Sequence, residues 1–169
     1  MEFMDVVSKR RSIRKYKSDP VSKEDIQYIL ESARLAPSWA NSQCWKFVVV
    51  TDSETKTELA KAGNGWIAHA PAIIAACADP SRPGTKGDQE YYMLDVGIAM
   101  EHLILAAADR GLGTCWIGAF DEEIAKEVLD VPQNIRVVAL TPLGRPDESP
   151  APRPRRPLEE IMCSNKYQA

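Results

Sequence analysis

Between residues 88 and 110 the chain places Met93, Leu94, Val96, Ile98, Met100, Leu103, Ile104 and Leu105 at helical spacing, covering nearly the whole circumference of one helix. A helix that is apolar all round is either buried on every side or crosses a membrane. A crossing needs about 20 apolar residues with few charges, and Asp95, Glu101, His102 and Asp109 interrupt this one. It reads as the buried centre of a domain, with no membrane involved. A chain of 169 residues has room for one core. So apolar a helix in so small a domain also implies a second subunit covering part of it.

The other elements arrange themselves around that helix. Residues 2–10 predict a short helix. Ser22 opens a second, Asp25 completing a capping pattern, and it closes before Pro37. Residues 45–51 predict a strand. Asp52 or Ser53 caps a helix to about Ala62, ended by Gly63. Residues 72–78 predict a second strand, 80–87 a loop, and Gly111-Leu112-Gly113 the end of the long helix. A short strand over 114–117, a helix from Asp121 to Leu129 and a strand over 135–143 follow. The tail, 146–157, is rich in proline and arginine; beyond it Leu158 and Ile161 are placed to pack on the body or on a partner. The expectation is one α+β layered domain over 1–169, with four or five strands and an extended arm from about 145.

Charge narrows the partners. The net charge is -3 and the pI about 5.5, which leaves no broad basic face for a nucleic acid. The cations are bunched at residues 9–14 and 153–156. Cys44, Cys77, Cys115 and Cys163 lack metal-ligand spacing, and two of them lie in apolar runs. That pattern suits reduced thiols in a cytoplasmic protein, and the N-terminus lacks the apolar core of a signal peptide. His69 and His102 stand apart, without ligand-like neighbours.

No nucleophile has a sequence-adjacent histidine, no glycine-rich loop precedes a helix, and no carboxylate cluster suits a metal. A catalyst with this inventory borrows its reactivity from an organic cofactor. The stretch Lys9-Arg10-Arg11-Ser12-Ile13-Arg14 suits a phosphate held by charge-assisted bonds; it is equally compatible with a solvated helix end. The polar loop 37–44 offers Ser38, Asn41 and Gln43 as donors and acceptors for a pyrimidine-like ring edge, with Trp39 and Trp45 to wall an aromatic plate. Phosphate, polar edge and plate together describe FMN.

Four motifs then carry a family resemblance over essentially the whole chain. They are Arg10-Arg11-Ser12-Ile13-Arg14, Ala36-Pro37-Ser38-Trp39-Ala40-Asn41-Ser42-Gln43-Cys44-Trp45, Gly111-Leu112-Gly113-Thr114-Cys115-Trp116-Ile117-Gly118 and Arg155-Arg156-Pro157-Leu158-Glu159-Glu160. In this order the chain resembles the nitroreductase family of FMN-dependent oxidoreductases, specifically its small members. The resemblance implies a three-layer α+β sandwich with a mainly antiparallel central sheet and flanking helices. It implies an intertwined homodimer with FMN at the subunit interface. Arg10, Arg11 and Ser12 match positions on the FMN phosphate and ribityl chain, Arg14 one near the pyrimidine end, and Arg153 and Arg155 tail positions closing over the phosphate. Ile117 and Gly118 match backbone near the flavin. Pro37, Ser38, Trp39, Asn41 and Gln43 match the flavin-contacting loop, part of it reaching from the other subunit.

The implied activity is ping-pong hydride transfer from NADH or NADPH through FMN to a nitroaromatic, quinone or flavin-type acceptor. No side chain then serves as acid or base, and Arg14 tunes the flavin electrostatically. The same fold also hosts dehalogenation, flavin destruction and heterocycle dehydrogenation, and a non-enzymatic FMN-binding module is a further alternative. Segments 63–69 and 80–90 are candidates to line the nicotinamide and acceptor site, and the shortness of 80–90 implies an open one. One departure stands out: Cys44 sits where the family has proline.

Overall fold

The structure, a computed structural model, describes residues 2–168. The expectation of a domain over 1–169 also takes in Met1 and Ala169, which lie outside the described residues. In chain order the elements are α1 (Phe3–Lys9), α2 (Lys23–Arg34), β1 (Trp45–Val50), α3 (Ser53–Ala60), β2 (Ala72–Ala78), β3 (Thr85–Lys86), β4 (Gln89–Glu90), α4 (Tyr91–Asp109), β5 (Gly113–Thr114), α5 (Glu122–Val128) and β6 (Arg136–Gly144). Single 3-10 turns occupy Trp39–Asn41, Gly65–His69 and Leu158–Glu160.

Four strands form one antiparallel sheet in the order β1-β2-β6-β5. Every residue of β2 is buried, because helices cover both faces of the sheet. Ala72, Ile74, Ala76 and Ala78 face α2 and α4, while Ile73, Ala75 and Cys77 face α3 and α5. The period-2 alternation of a strand thus builds two cores from one apolar run, and the result is the expected three-layer α+β sandwich. A bulge opposite Ala76 and Cys77 leaves Val138 without a register partner. It turns both Val138 and Ala139 toward the α4 side, so that Val137 and Leu140 still reach the other core.

Capping follows the sequence closely. Ser22 Oγ accepts the Asp25 N–H (3.0 Å), Asp52 accepts that of Thr55 (2.8 Å), and Asp121 accepts those of Glu123 and Ile124. Gly111 closes α4 at φ +70°, and the Leu112 N–H reaches back to the Ala107 carbonyl (2.8 Å).

Two expectations need correction. The long helix starts at Tyr91, not 88; residues 89–90 pair with 85–86 instead, with Gly87 at φ +63° in the turn, so 80–90 is a small hairpin, not a free loop. The strand expected over 114–117 is Gly113–Thr114 plus a single bridge from Ile117 to Leu140, because the exposed Trp116 breaks the pairing between them. Of the two places expected for Leu158 and Ile161, the body of their own chain is not the one, since they are 65% and 59% exposed. Its own chain does not cover α4 all round, in keeping with the expected cover by a second subunit: Met93 and Leu94 are half exposed, and Leu94 shares one side with the half-buried Ile98 and Leu105 at i, i+4 and i+11. By length and composition α4 could cross a membrane; here it packs against α2 and the sheet.

One ion-paired cluster ties the layers at the sheet margin. Arg136 at the start of β6 donates to both carboxylate oxygens of Glu122 on α5 (2.9–3.1 Å) and to the hydroxyl of Tyr92 on α4 (2.8 Å). Glu122 also accepts the Val137 N–H (2.9 Å). These bonds hold the Glu122 carboxyl below the ordinary glutamate range, the hydrogen bonds from Arg136 first among the causes. The stability this confers is complete above that ordinary range and is lost as pH falls through the depressed value. Glu122→Gln therefore lowers stability at neutral pH by about 2 kcal/mol, a drop of roughly 4–8 °C in Tm. Thermal melts from pH 7 to pH 3 check this: the variant and the parent should converge at the acid end.

Candidate cofactor site

The cationic stretch near the N-terminus is placed by a close approach. Residues 12–14 lie along β5, with Ser12 bridging Thr114 and the Ile13 N–H donating to the Thr114 carbonyl (2.8 Å). A Cβ on Gly113 would sit 2.8 Å from Ile13 Cβ, so only glycine lets this segment settle there. Tyr16 donates its hydroxyl to the Ile13 carbonyl, and burial pushes the phenol up, keeping it a donor.

The tail is then zipped to the same segment. The Lys17 N–H donates to the Arg145 carbonyl and the Asp147 N–H to the Lys15 carbonyl, both at 2.9 Å. The Glu148 carboxylate accepts the N–H groups of Arg14 (2.5 Å) and Lys15 (3.2 Å). The two ends of the chain thereby line one cleft of about 440 Å³, with Arg10, Arg11, Ser12 and Arg14 from one side and Pro150, Ala151, Pro152, Arg153 and Arg155 from the other. Among the described residues none of these five arginines forms an ion pair. Arg11 and Arg155 donate only to nearby main-chain carbonyls. Like charges gathered without a carboxylate suit an anionic ligand, and a phosphate beside the Ser12 hydroxyl fits.

The polar loop is elsewhere. Residues 38–44 wrap the N-terminal part of α4, where Asp95 accepts the Trp39 N–H (2.8 Å) and the Ser42 hydroxyl (3.2 Å). Ser38 Oγ accepts the Gln43 N–H (3.0 Å). Ala40, Asn41 and Gln43 hold left-handed angles, with φ of 45°, 56° and 47°. Pro37, Asn41 and Gln43 are exposed, and Trp39 stacks on Tyr91 at 6.0 Å between centroids. A Cβ on Gly84 would meet the Trp39 ring at 2.5 Å, so the 80–90 hairpin rests on this loop. Trp45 does not join Trp39 as a second wall; it packs against the α2–α4 core. Segment 63–69 packs on α3, with the Asn64 amide donating to the Ala119 carbonyl (2.9 Å). Ile117 is buried against Leu140, and Gly118 beside it is exposed.

The expected site residues thus fall into two main groups along α4. A neighbouring cavity that shares Arg10, Arg11 and Pro150 with the cleft reaches Ala108 and Gly111 at the C-terminal end of α4, and the polar loop is anchored at Asp95. Those points are about 13 residues apart on one helix, or about 20 Å at 1.5 Å per residue. Sequence reasoning passed over Asp95, Glu148 and Gly113. The available signals were an acidic residue inside an apolar helix, an acidic residue within a cationic tail and a second glycine directly after a helix stop.

Comparison with known proteins gives the family. The Nitroreductase family profile matches residues 7–63 and 58–145. A crystal structure of a nitroreductase family protein from Clostridium novyi NT is 42% identical, superimposes with a TM-score of 0.85, and the match covers 88% of this chain and 87% of that one. The chain belongs to the Nitroreductase family. The NADPH:FMN oxidoreductase of Vibrio harveyi, solved with NAD+, is 32% identical with a TM-score of 0.89, over 99% of this chain and 78% of that one. An FMN reductase [NAD(P)H] of Bacillus subtilis is 30% identical over 98% of this chain and 74% of its own length.

Within this Nitroreductase family chain, Cys44 is a buried thiol whose Sγ lies 3.8 Å from Asp95 Oδ2. Burial, with the Asp95 charge adding to it, pushes the thiol up to about 11, so it is a poor nucleophile and serves in packing. The glycine contact is the more consequential detail. Gly113→Ala must displace Ile13 and with it the cationic segment. It should destabilise the fold by about 1–3 kcal/mol and loosen anion binding in the cleft, both readable from thermal shifts with and without a phosphate ligand.

Proposed function

We propose that the chain is a cytoplasmic, homodimeric, FMN-dependent oxidoreductase. It carries reducing equivalents from NADH or NADPH to small-molecule acceptors such as nitroaromatics, quinones or free flavins, in ping-pong order. The observation that carries this reading is the cleft in which unpaired guanidinium groups from both chain ends converge, in a member of the Nitroreductase family. One FMN-binding domain with a C-terminal arm accounts for the whole chain.

Bound FMN would supply the redox chemistry that no side chain here offers. The residues supply binding and charge. Arg10, Arg11 and Ser12 would hold the phosphate and ribityl end, with Arg153 and Arg155 closing from the tail. Arg14 would offset negative charge on the reduced ring system. Pro37, Ser38, Trp39, Asn41 and Gln43 would contact the ring edge, and Ile117 and Gly118 would offer backbone beside it.

A second copy makes these two groups one site. An antiparallel pairing of two α4 helices through Leu94, Ile98 and Leu105 would bring the polar loop of one subunit to the cleft end of the other. The arm supports the same assembly. Residues 151–168 are exposed throughout, and Leu158, Ile161 and Met162 present apolar groups that their own chain leaves more than half uncovered.

The test begins with the purified protein. It should be yellow, dimeric by light scattering, and bleached by NADH or NADPH without oxygen. Arg10→Ala or Arg11→Ala should weaken FMN binding about 10- to 100-fold, the size expected for a hydrogen bond to a charged group. Arg14→Ala should lower the midpoint potential of bound FMN; an unchanged midpoint removes that role. A colourless monomer that takes up no FMN defeats the reading, and a yellow protein inert to both nicotinamides favours the other chemistries of the fold.

A further inference from the structure

Asp95 is the buried acid of α4, 2% exposed, and among the described residues its carboxylate forms no ion pair. Burying such a group is unfavourable unless hydrogen bonds replace the lost water. Among the described residues its hydrogen-bond partners all come from one short segment: the Trp39 N–H at 2.8 Å, the Ser42 hydroxyl at 3.2 Å and the Cys44 thiol at 3.8 Å. Between those anchors Ala40, Asn41 and Gln43 adopt left-handed angles. Side-chain-bearing residues adopt such angles at a penalty, and three within four positions persist only where the surroundings over-determine them.

The helix itself does not need Asp95. Asp95 is the fifth of the 19 residues of α4, inside the helix, and a leucine or methionine there would continue the core. What the carboxylate does is hold the loop at its start, at Ser42 and at its end. The Ser38–Gln43 bond alone closes the loop without tying it to the helix.

We propose that Asp95 is a positioning residue for the cofactor, clamping residues 39–44 in the left-handed shape that presents the Asn41 and Gln43 amides outward. This rests on the FMN reading for the identity of the ligand, but the clamp itself does not. It also links the loop to the acceptor side, because Trp39, whose N–H Asp95 binds, carries the hairpin through its contact with Gly84.

The experiment compares the parent with Asp95→Asn, and with Asp95→Asn combined with Ala40→Gly. Backbone amide exchange is followed by NMR, and FMN affinity by fluorescence. In Asp95→Asn the Trp39 amide should exchange about ten-fold faster or more while the β2 amides stay protected, and FMN should bind about ten-fold more weakly. Adding Ala40→Gly removes part of the left-handed penalty, so it should recover part of the FMN affinity, a rescue that a purely structural aspartate would not give. Unchanged Trp39 exchange and unchanged FMN affinity in Asp95→Asn overturn the proposal. If that variant fails to fold, Ser42→Ala decides: it leaves the carboxylate in place, and should raise Trp39 exchange and the FMN Kd by a smaller factor, with no change in either counting against the clamp. A parent protein that binds no FMN defeats the functional reading, while the Trp39 exchange still reports on the clamp.

Discussion

Five guanidinium groups share one cleft without a carboxylate among them to neutralise their charge, and their mutual repulsion has to be overcome by something other than ion pairing. Main-chain hydrogen bonding does this. Residues 13–17 are pinned on one edge to Thr114 and on the other to residues 145–148. The Glu148 carboxylate is spent on the N–H groups of Arg14 and Lys15 and is not offered to the guanidinium groups. The backbone therefore bears the electrostatic load, and the side chains stay free for an anion. A cation cluster neutralised by its own carboxylates would be more comfortable and of no use to a phosphate.

Much of the architecture was legible because local chemistry and global packing agree. Ser22, Asp52 and Asp121 cap the helices they precede, and Gly111 ends the longest one. The run over residues 72–78 reads as a strand because it is too short for a core helix and is bounded by prolines at 71 and 80. The errors lie where tertiary contact overrides local preference. Residues 88–90 look like the start of a helix, yet the glycine at 87 turns the chain into a hairpin that rests on Trp39. Trp116 interrupts pairing that the apolar pattern of 114–117 would continue.

The candidate site was legible in the residues that line the cleft and the polar loop, and not in their supports. Arginines, a serine and an amide-rich loop announce themselves by type. Asp95 does not, since an acidic residue in an apolar helix reads equally well as an interruption on an exposed side. Its importance comes from burial and from the loop that wraps it, neither of which a linear pattern contains. Gly113 is similar, for its significance is the Ile13 side chain pressed against it from a segment a hundred residues away in the chain.

The bond from Arg14 to Glu148 spans 134 positions of sequence. Closing so long a loop comes late in folding, after the sheet and its helices have supplied a surface to close upon. The cationic segment therefore waits, half-built, until residues 145–148 have reached it. A chain cut after residue 149 would keep a folded body whose anion cradle has only one wall.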